Sequence, residues 1–241
     1  MKYGYFDDSK HEYVITTPKT PVKWINYIGT LTFGGIVDHT GGLLLCKGDP
    51  ALNRITKYIP QLPDSDFKGA TLYLRVKFGK KVRIFSPFYV PTLDNYDLYE
   101  CHVGLSYQRI ISEFYGIRTE VTIFVPCRDC VEIRDIKVTN LTETPVEIDI
   151  VPVVEFTHFD ALKQYTNADW VPQTMTVDAH REKSGHIVLN QYAFMRRDTH
   201  ANFITSNRPM DSFQTDRRLF LGNNEYGTWK HPLELDKDSL S

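Results

Sequence analysis

The residues of this chain best suited to chemistry lie in one loop. Tyr165-Thr166-Asn167-Ala168-Asp169-Trp170-Val171-Pro172-Gln173 joins an aromatic face to amides, a hydroxyl and a carboxylate. That set recognises a sugar, because an indole covers the apolar side of a pyranose while polar groups take its hydroxyls. A Trp in a polar loop serves equally to anchor that loop to its own domain, and the residues alone leave both readings open. Weaker signals lie elsewhere. His158, in Glu155-Phe156-Thr157-His158-Phe159, ends an apolar strand beside Glu155, and the two are the pair that a mutarotase-like epimerase would use; a satisfied core or edge histidine is the commoner outcome. Asp7, Asp8, Glu120, Glu132, Glu155 and Asp169 supply carboxylates. A glycosidase needs two of them facing a sugar, but their spacing selects no pair, and solvated strand faces and loop charges account for most. Arg196-Arg197 and Arg217-Arg218 carry guanidinium forks of the kind that grip phosphate, though only as dipeptides.

Several classes are missing. The chain has no Gly-x-Ser-x-Gly elbow, no phosphate-cradling Gly-rich loop and no His-Glu-x-x-His helix. Gly34-Gly35 and Gly41-Gly42 do not sit between a strand and a helix, so they read as turns or close backbone approaches. The eight histidines show no metal spacing, and neither a metal nor a cofactor is expected. Cys127-Arg128-Asp129-Cys130 has no second pair to complete a zinc site. It reads as two turn-region thiols, the alternative being a redox pair, which normally sits at a helix N-terminus that nothing here predicts.

The elements that must position these residues are strands. Leu72, Leu74, Val76 and Phe78 alternate with Tyr73, Arg75 and Lys77, and Gly79-Lys80 turns the chain into Val82 and Ile84, which predicts a hairpin. Ile117 to Val125 alternates again. Val131–Leu141 changes phase between Ile133 and Ile136, which predicts a bulge near Asp135. Leu141 to Pro145 is turn chemistry leading into Val146, Ile148 and Ile150, so three adjacent antiparallel strands are expected. His186–Phe194 and Ala201–Ser206 are later strand candidates. Helical signal is confined to Asp160–Tyr165, with Asp160 as cap. Ile59–Gly69 and Thr157–Gln173 read as long functional loops, and His231–Ser241 as a polar, featureless tail.

Composition agrees. The 241 residues contain 18 Val, 17 Ile and 22 Thr against 7 Ala, with 31 aromatics, a bias toward pleated, half-buried surfaces. An all-helical protein is excluded, and a large antiparallel β-sandwich is expected, as one domain over 1–241. With 28 basic and 30 acidic side chains, net −2, no field of either sign recruits nucleic acid or an anionic membrane. No stretch approaches the roughly 18–20 apolar residues of a membrane helix, and the opening Met1–Asp8 lacks a secretory signal. Four cysteines make no disulfide framework, and the expected location is cytoplasmic.

Longer strings then carry a resemblance. Met1-Lys2-Tyr3-Gly4-Tyr5-Phe6-Asp7-Asp8, Glu12-Tyr13-Val14-Ile15-Thr16 and Pro18-x-x-Pro21-x-x-Trp24-Ile25-Asn26-Tyr27-Ile28-Gly29 closely resemble the N-terminus of the cellobiose and laminaribiose phosphorylase-like enzymes of glycoside hydrolase family 94. So do Arg54-Ile55-Thr56-Lys57-Tyr58, Tyr99–Tyr107, Thr122-x-Phe124-Val125-Pro126, Val154-Glu155-Phe156 and Phe213-x-Thr215-Asp216-Arg217-x-x-Phe220-Leu221-Gly222, in the family's order. The resemblance implies a supersandwich similar to galactose mutarotase, the N-terminal part of a longer enzyme whose (α/α)6 barrel is not in these residues. The chain would then stop near the end of the sandwich.

The implied reaction is inverting phosphorolysis of a β-linked glucobiose by inorganic phosphate, giving α-glucose 1-phosphate. The acid is a barrel Asp, so no residue here is catalytic. By position after Val154-Glu155-Phe156, the loop Thr157–Gln173 would reach over a partner subunit's active-site mouth in a homodimer, which makes Thr166, Asn167, Asp169 and Trp170 the expected substrate contacts on the acceptor side. Asn167-Ala168-Asp169-Trp170 departs from the cellobiose-type pattern, which opens a laminaribiose-like acceptor. The alternative is a stand-alone, non-catalytic carbohydrate-binding or dimerisation module.

Overall fold

Alternating Val, Ile and Thr build strands along almost the whole chain. The computed structural model describes residues 2–66, 68–158, 160–166, 175–193, 201–222 and 228–240, and among them all strand pairing is antiparallel. The largest sheet has six strands. Its order is β1 (Gly4–Asp7), β2 (Glu12–Ile15), β8 (Leu98–Val103), β9 (Tyr107–Phe114), β10 (Ile117–Phe124) and β11 (Ile133–Asn140). Three smaller sheets are β3 (Ile25–Gly29), β4 (Gly34–Asp38) and β5 (Leu43–Cys46); β12 (Glu147–Val154), β6 (Ala70–Phe78) and β7 (Lys81–Phe85); and β13 (Met175–Arg181), β14 (Ile187–Ala193) and β15 (Asn202–Thr205). Among the described residues, helix is limited to α1 (Ala161–Thr166), α2 (Arg217–Leu221) and a 3-10 turn at Leu233–Asp236. No described helix is long and apolar enough to cross a membrane.

The core lies between the sheets. Ile15, Cys101, Ile110, Val121 and Ile123 of the six-stranded sheet meet Val37, Leu43, Leu72 and Phe88, each large apolar side chain contributing about 1.5–3 kcal/mol relative to exposure. Two hairpins are fixed by their turns. Gly79 alone takes positive φ in the β6–β7 turn, whereas Tyr115 and Gly116 both do so between β9 and β10, which matches the II′ and I′ patterns that follow strand twist. Tyr115 bears this left-handed backbone while its ring packs on Phe114 and Phe85.

Three expectations are corrected. The β10–β11 register runs without interruption from Ile117↔Asn140 to Phe124↔Ile133, so there is no bulge at Asp135. Ile136 and Val138 point to the core, and Ile133 simply stands on the opposite face of an edge strand. Second, β12 does not lie beside β11 but crosses to pair with β6, Ile148 opposite Val76. Third, the tail is not featureless. Within His231–Ser241, Glu234 and Leu235 are buried, and Leu235 joins Phe220, Leu221 and Trp229 in closing over Tyr73. Tyr73 Oη donates to Trp229 O, and Arg75 donates to Leu235 O (3.1 Å), Asp149 (3.0 Å) and Asp238 (2.8 Å). The Tyr73/Arg75 face of β6 is therefore as buried as its Leu72/Leu74 face.

Candidate functional site

The chain leaving β12 is strapped at once to residues 51–57. Glu155 N–H donates to Gly69 O, Lys57 N–H to Glu155 O, Thr157 N–H to Ile55 O and Ala161 N–H to Ala51 O, all at 2.8–3.0 Å, and Thr56 forms an antiparallel bridge with Phe156. This short ladder fixes the base of the loop that begins at Thr157. Beside it, Glu155 accepts from Lys57 Nζ at 2.9 Å and lies 3.6 Å from Arg217 Nε, and the Arg217 guanidinium stands 5.6 Å over the Trp229 ring. α2 presents that arginine. Asp216 caps the helix by accepting from Arg218 and Leu219 N–H, and Gly222 ends it in the left-handed region.

The loop's predicted contact residues divide. Thr166 is exposed at the end of α1, where its Oγ1 donates to Leu162 O at 2.9 Å. Asn167, Asp169 and Trp170 lie outside the described residues, as do Arg196 and Arg197. Glu155 and His158 are engaged by different groups, Glu155 by Lys57 and the buried His158 through Asp160 N–H donating to its Nδ1 at 3.1 Å.

Next to the strap opens a groove of about 3230 Å3 bordered by β11, β12, the β13–β15 sheet and residues 206–218. Small-molecule sites occupy roughly 300–1,000 Å3, so this groove is not a closed small-molecule pocket. Among the described residues, no three or more His, Cys, Asp or Glu side chains are placed to hold a metal ion.

Two polar centres escaped the sequence reading. At the β4–β5 turn the fully buried Asp38 accepts from Thr40 N–H (2.8 Å), Thr40 Oγ1 (2.6 Å), Gly42 N–H (3.1 Å) and Tyr58 Oη (3.0 Å). Burial alone would raise this carboxyl, but the Lys23 charge and the Thr40 and Gly42 donors outweigh it and hold the pKa below the ordinary value. Tyr58, buried against that charge, is pushed well up. On the other face of the six-stranded sheet, Glu12 accepts from Tyr107 Oη (2.5 Å) and Arg109 (3.0 and 3.1 Å) and pairs with His102 Nδ1 (2.8 Å). The second His102 nitrogen faces Glu100 at 3.2 Å. Burial again opposes ionisation, and the Tyr107 and His102 hydrogen bonds with the Arg109 charge again win, leaving Glu12 depressed. The available signal was period 2: Glu100 and His102 share one face of β8.

Layered antiparallel sheets, a strapped loop base and buried carboxylates committed to structure define a β-supersandwich domain. Residues 11–241 match the model of the glycosyl hydrolase 94 supersandwich domain, and the chain belongs to that family. It is 30% identical over 226 residues to an N,N'-diacetylchitobiose phosphorylase of Vibrio furnissii, covering 92% of this chain and 27% of that protein. It is 26% identical to a solabiose phosphorylase of Paenibacillus borealis, covering 99% and 30%. It is 25% identical to a 3-O-beta-D-glucopyranosyl-beta-D-glucuronide phosphorylase of the same organism, covering 99% and 29%. The chain thus spans under a third of the length of these relatives.

Proposed function

We propose that this chain is the N-terminal supersandwich of an inverting disaccharide phosphorylase, joined to an (α/α)6 catalytic barrel. The family match over residues 11–241, together with relatives that are all named as disaccharide phosphorylases, carries this reading. In the proposed reaction a phosphate oxygen attacks the anomeric carbon of a β-linked glucobiose as the C1–O bond breaks. The leaving oxygen takes a proton from the barrel's acid, and α-glucose 1-phosphate and the free sugar depart. The relatives' names differ in both sugars, so the family permits donors and acceptors other than glucose.

The contribution of this domain is positioning. It holds the loop after Thr157 by the strap to residues 51–57 and presents Thr166, Asn167, Asp169 and Trp170 to the acceptor across a homodimer, in the cytoplasm. Exposed Ile25, Tyr27 and Leu105, tied together where Asn26 donates to Gly104 and Tyr107 carbonyls, supply apolar surface for the second copy.

The test is phosphate release by the full-length protein from α-glucose 1-phosphate or its N-acetylglucosamine counterpart with a panel of acceptors. Release with one β-linked product supports the reading, and none with any donor–acceptor pair overturns it. In that enzyme Trp170→Ala should raise the KM for acceptor by about tenfold with little change for the sugar phosphate. Equal effects on both would remove the loop from the acceptor site.

A further inference from the structure

The four cysteines fall into two chemical kinds. Cys46 and Cys101 are buried in separate sheets, and burial pushes both thiols up, which makes them poor nucleophiles. Cys127 and Cys130 are exposed and share the connection between β10 and β11.

The reversal between the strands keeps this second pair on one short connection. β10 and β11 part at Phe124↔Ile133, and residues 125–132 join them without further strand pairing, with Arg128 and Asp129 between the two cysteines. A four-residue turn brings its end Cα atoms within about 7 Å, close to the roughly 4.4–6.8 Å that a disulfide spans. The chain reverses over residues 126–129, where Asp129 N–H donates to Pro126 O at 3.5 Å, so Cys127 lies inside the turn and Cys130 directly follows it. Val125 is buried in the core, so the ends of this connection are held while its tip stands in solvent.

We propose that Cys127 and Cys130 are a redox modification site that closes reversibly into an intramolecular disulfide by exchange with a low-molecular-weight disulfide. One thiol gives up its proton to solvent and attacks a sulfur of the small disulfide, whose S–S bond breaks as the first small thiolate leaves. The second cysteine, likewise deprotonated, attacks the sulfur of the protein's mixed disulfide and expels the other small thiolate. The two departing thiolates take up the two protons, so the protein loses two protons and two electrons, the equivalent of two hydrogen atoms, and the small disulfide gains them. The closed form ties the end of β10 to the start of β11, the strand that borders the groove, and Cys130, Glu132 and Arg134 line that border.

The experiment equilibrates the full protein in buffers of graded oxidised-to-reduced glutathione and maps its peptides by mass without reduction. A hexapeptide with the sequence of residues 126–131 is treated in parallel. The expected result is a Cys127–Cys130 link, lighter by two hydrogens and reversed by dithiothreitol, half-formed at roughly a tenfold lower oxidant ratio than in the peptide, because the reversal is already built. Cys130→Ser, a substitution at an exposed position, should instead hold one glutathione on Cys127. A stable glutathione adduct on the unaltered protein, or a link needing the peptide's oxidant ratio or more, overturns the proposal.

Discussion

Asp38 and Glu12 are both enclosed carboxylates, but they are built from opposite materials. Most of the hydrogen bonds to Asp38 come from its own turn, from Thr40 and Gly42, with Tyr58 the one distant donor. Those to Glu12 come only from β8 and β9, through His102, Tyr107 and Arg109. The first centre is a local turn that folding then buries. The second exists only when β2, β8 and β9 stand in register. An aspartate four residues before a glycine makes its site wherever the turn closes, whereas a glutamate on a strand depends on what tertiary pairing delivers.

Substitutions that break this contrast rank by burial. Asp38→Ala strands four donors inside the sandwich and should cost about 3–5 kcal/mol in urea unfolding, the largest single effect expected. Glu12→Gln keeps the shape but removes the charge facing Arg109 and His102. Its cost should be about 2–3 kcal/mol, partly recovered at high salt because Arg109 is accessible to water.

A matched pair of tyrosine deletions sharpens the comparison. Tyr58→Phe and Tyr107→Phe each remove one hydroxyl from a carboxylate. The buried Tyr58 should cost roughly 1.5–2 kcal/mol and the half-buried Tyr107 about 1 kcal/mol or less, since water replaces only the latter. Equal losses would mean that the Glu12 centre is as dry as the Asp38 turn. Least of all, Glu147→Ala, which removes the solvent-facing partner of Lys77, should leave the urea midpoint unchanged within error.

Acid should separate the two centres as well. His39, beside Asp38, accepts from Trp24 N–H through Nδ1 while Nε2 meets Pro18 O, and burial lowers its pKa despite the Pro18 contact. The unfolded chain therefore binds a proton that the folded one refuses, and stability should start to fall as the pH drops through about 6.5. The depressed carboxyls of Glu12 and Asp38 act lower. Their stabilisation is complete above the unfolded values near about pH 4 and is lost as the pH falls through the folded ones. Urea midpoints measured from neutral to acid pH should show both stages, and Glu12→Gln should shrink only the lower one.

What the sequence carried was local. Gly79 and the Leu72–Phe78 alternation foretold the β6–β7 hairpin, and Ile117 to Val125 foretold β10, because a period of two and a turn residue are properties of neighbouring positions. The family's strings, Val154-Glu155-Phe156 among them, marked where the chain leaves β12, but not what holds it there. Strand partnership was not legible: Ile148 reads the same beside β11 or beside β6, since either neighbour buries it. The second buried face of β6 was hidden as well, because Tyr73 and Arg75 look solvent-facing until residues 217–222 and 228–240 pack on them and supply Leu235 O, Asp238 and an apolar cover. The sequence by itself determined strand content, turns and kinship. Tertiary structure alone decided which strands pair, which charges are enclosed and where the loop base is held, because burial and hydrogen-bond partnership join residues that the chain keeps far apart.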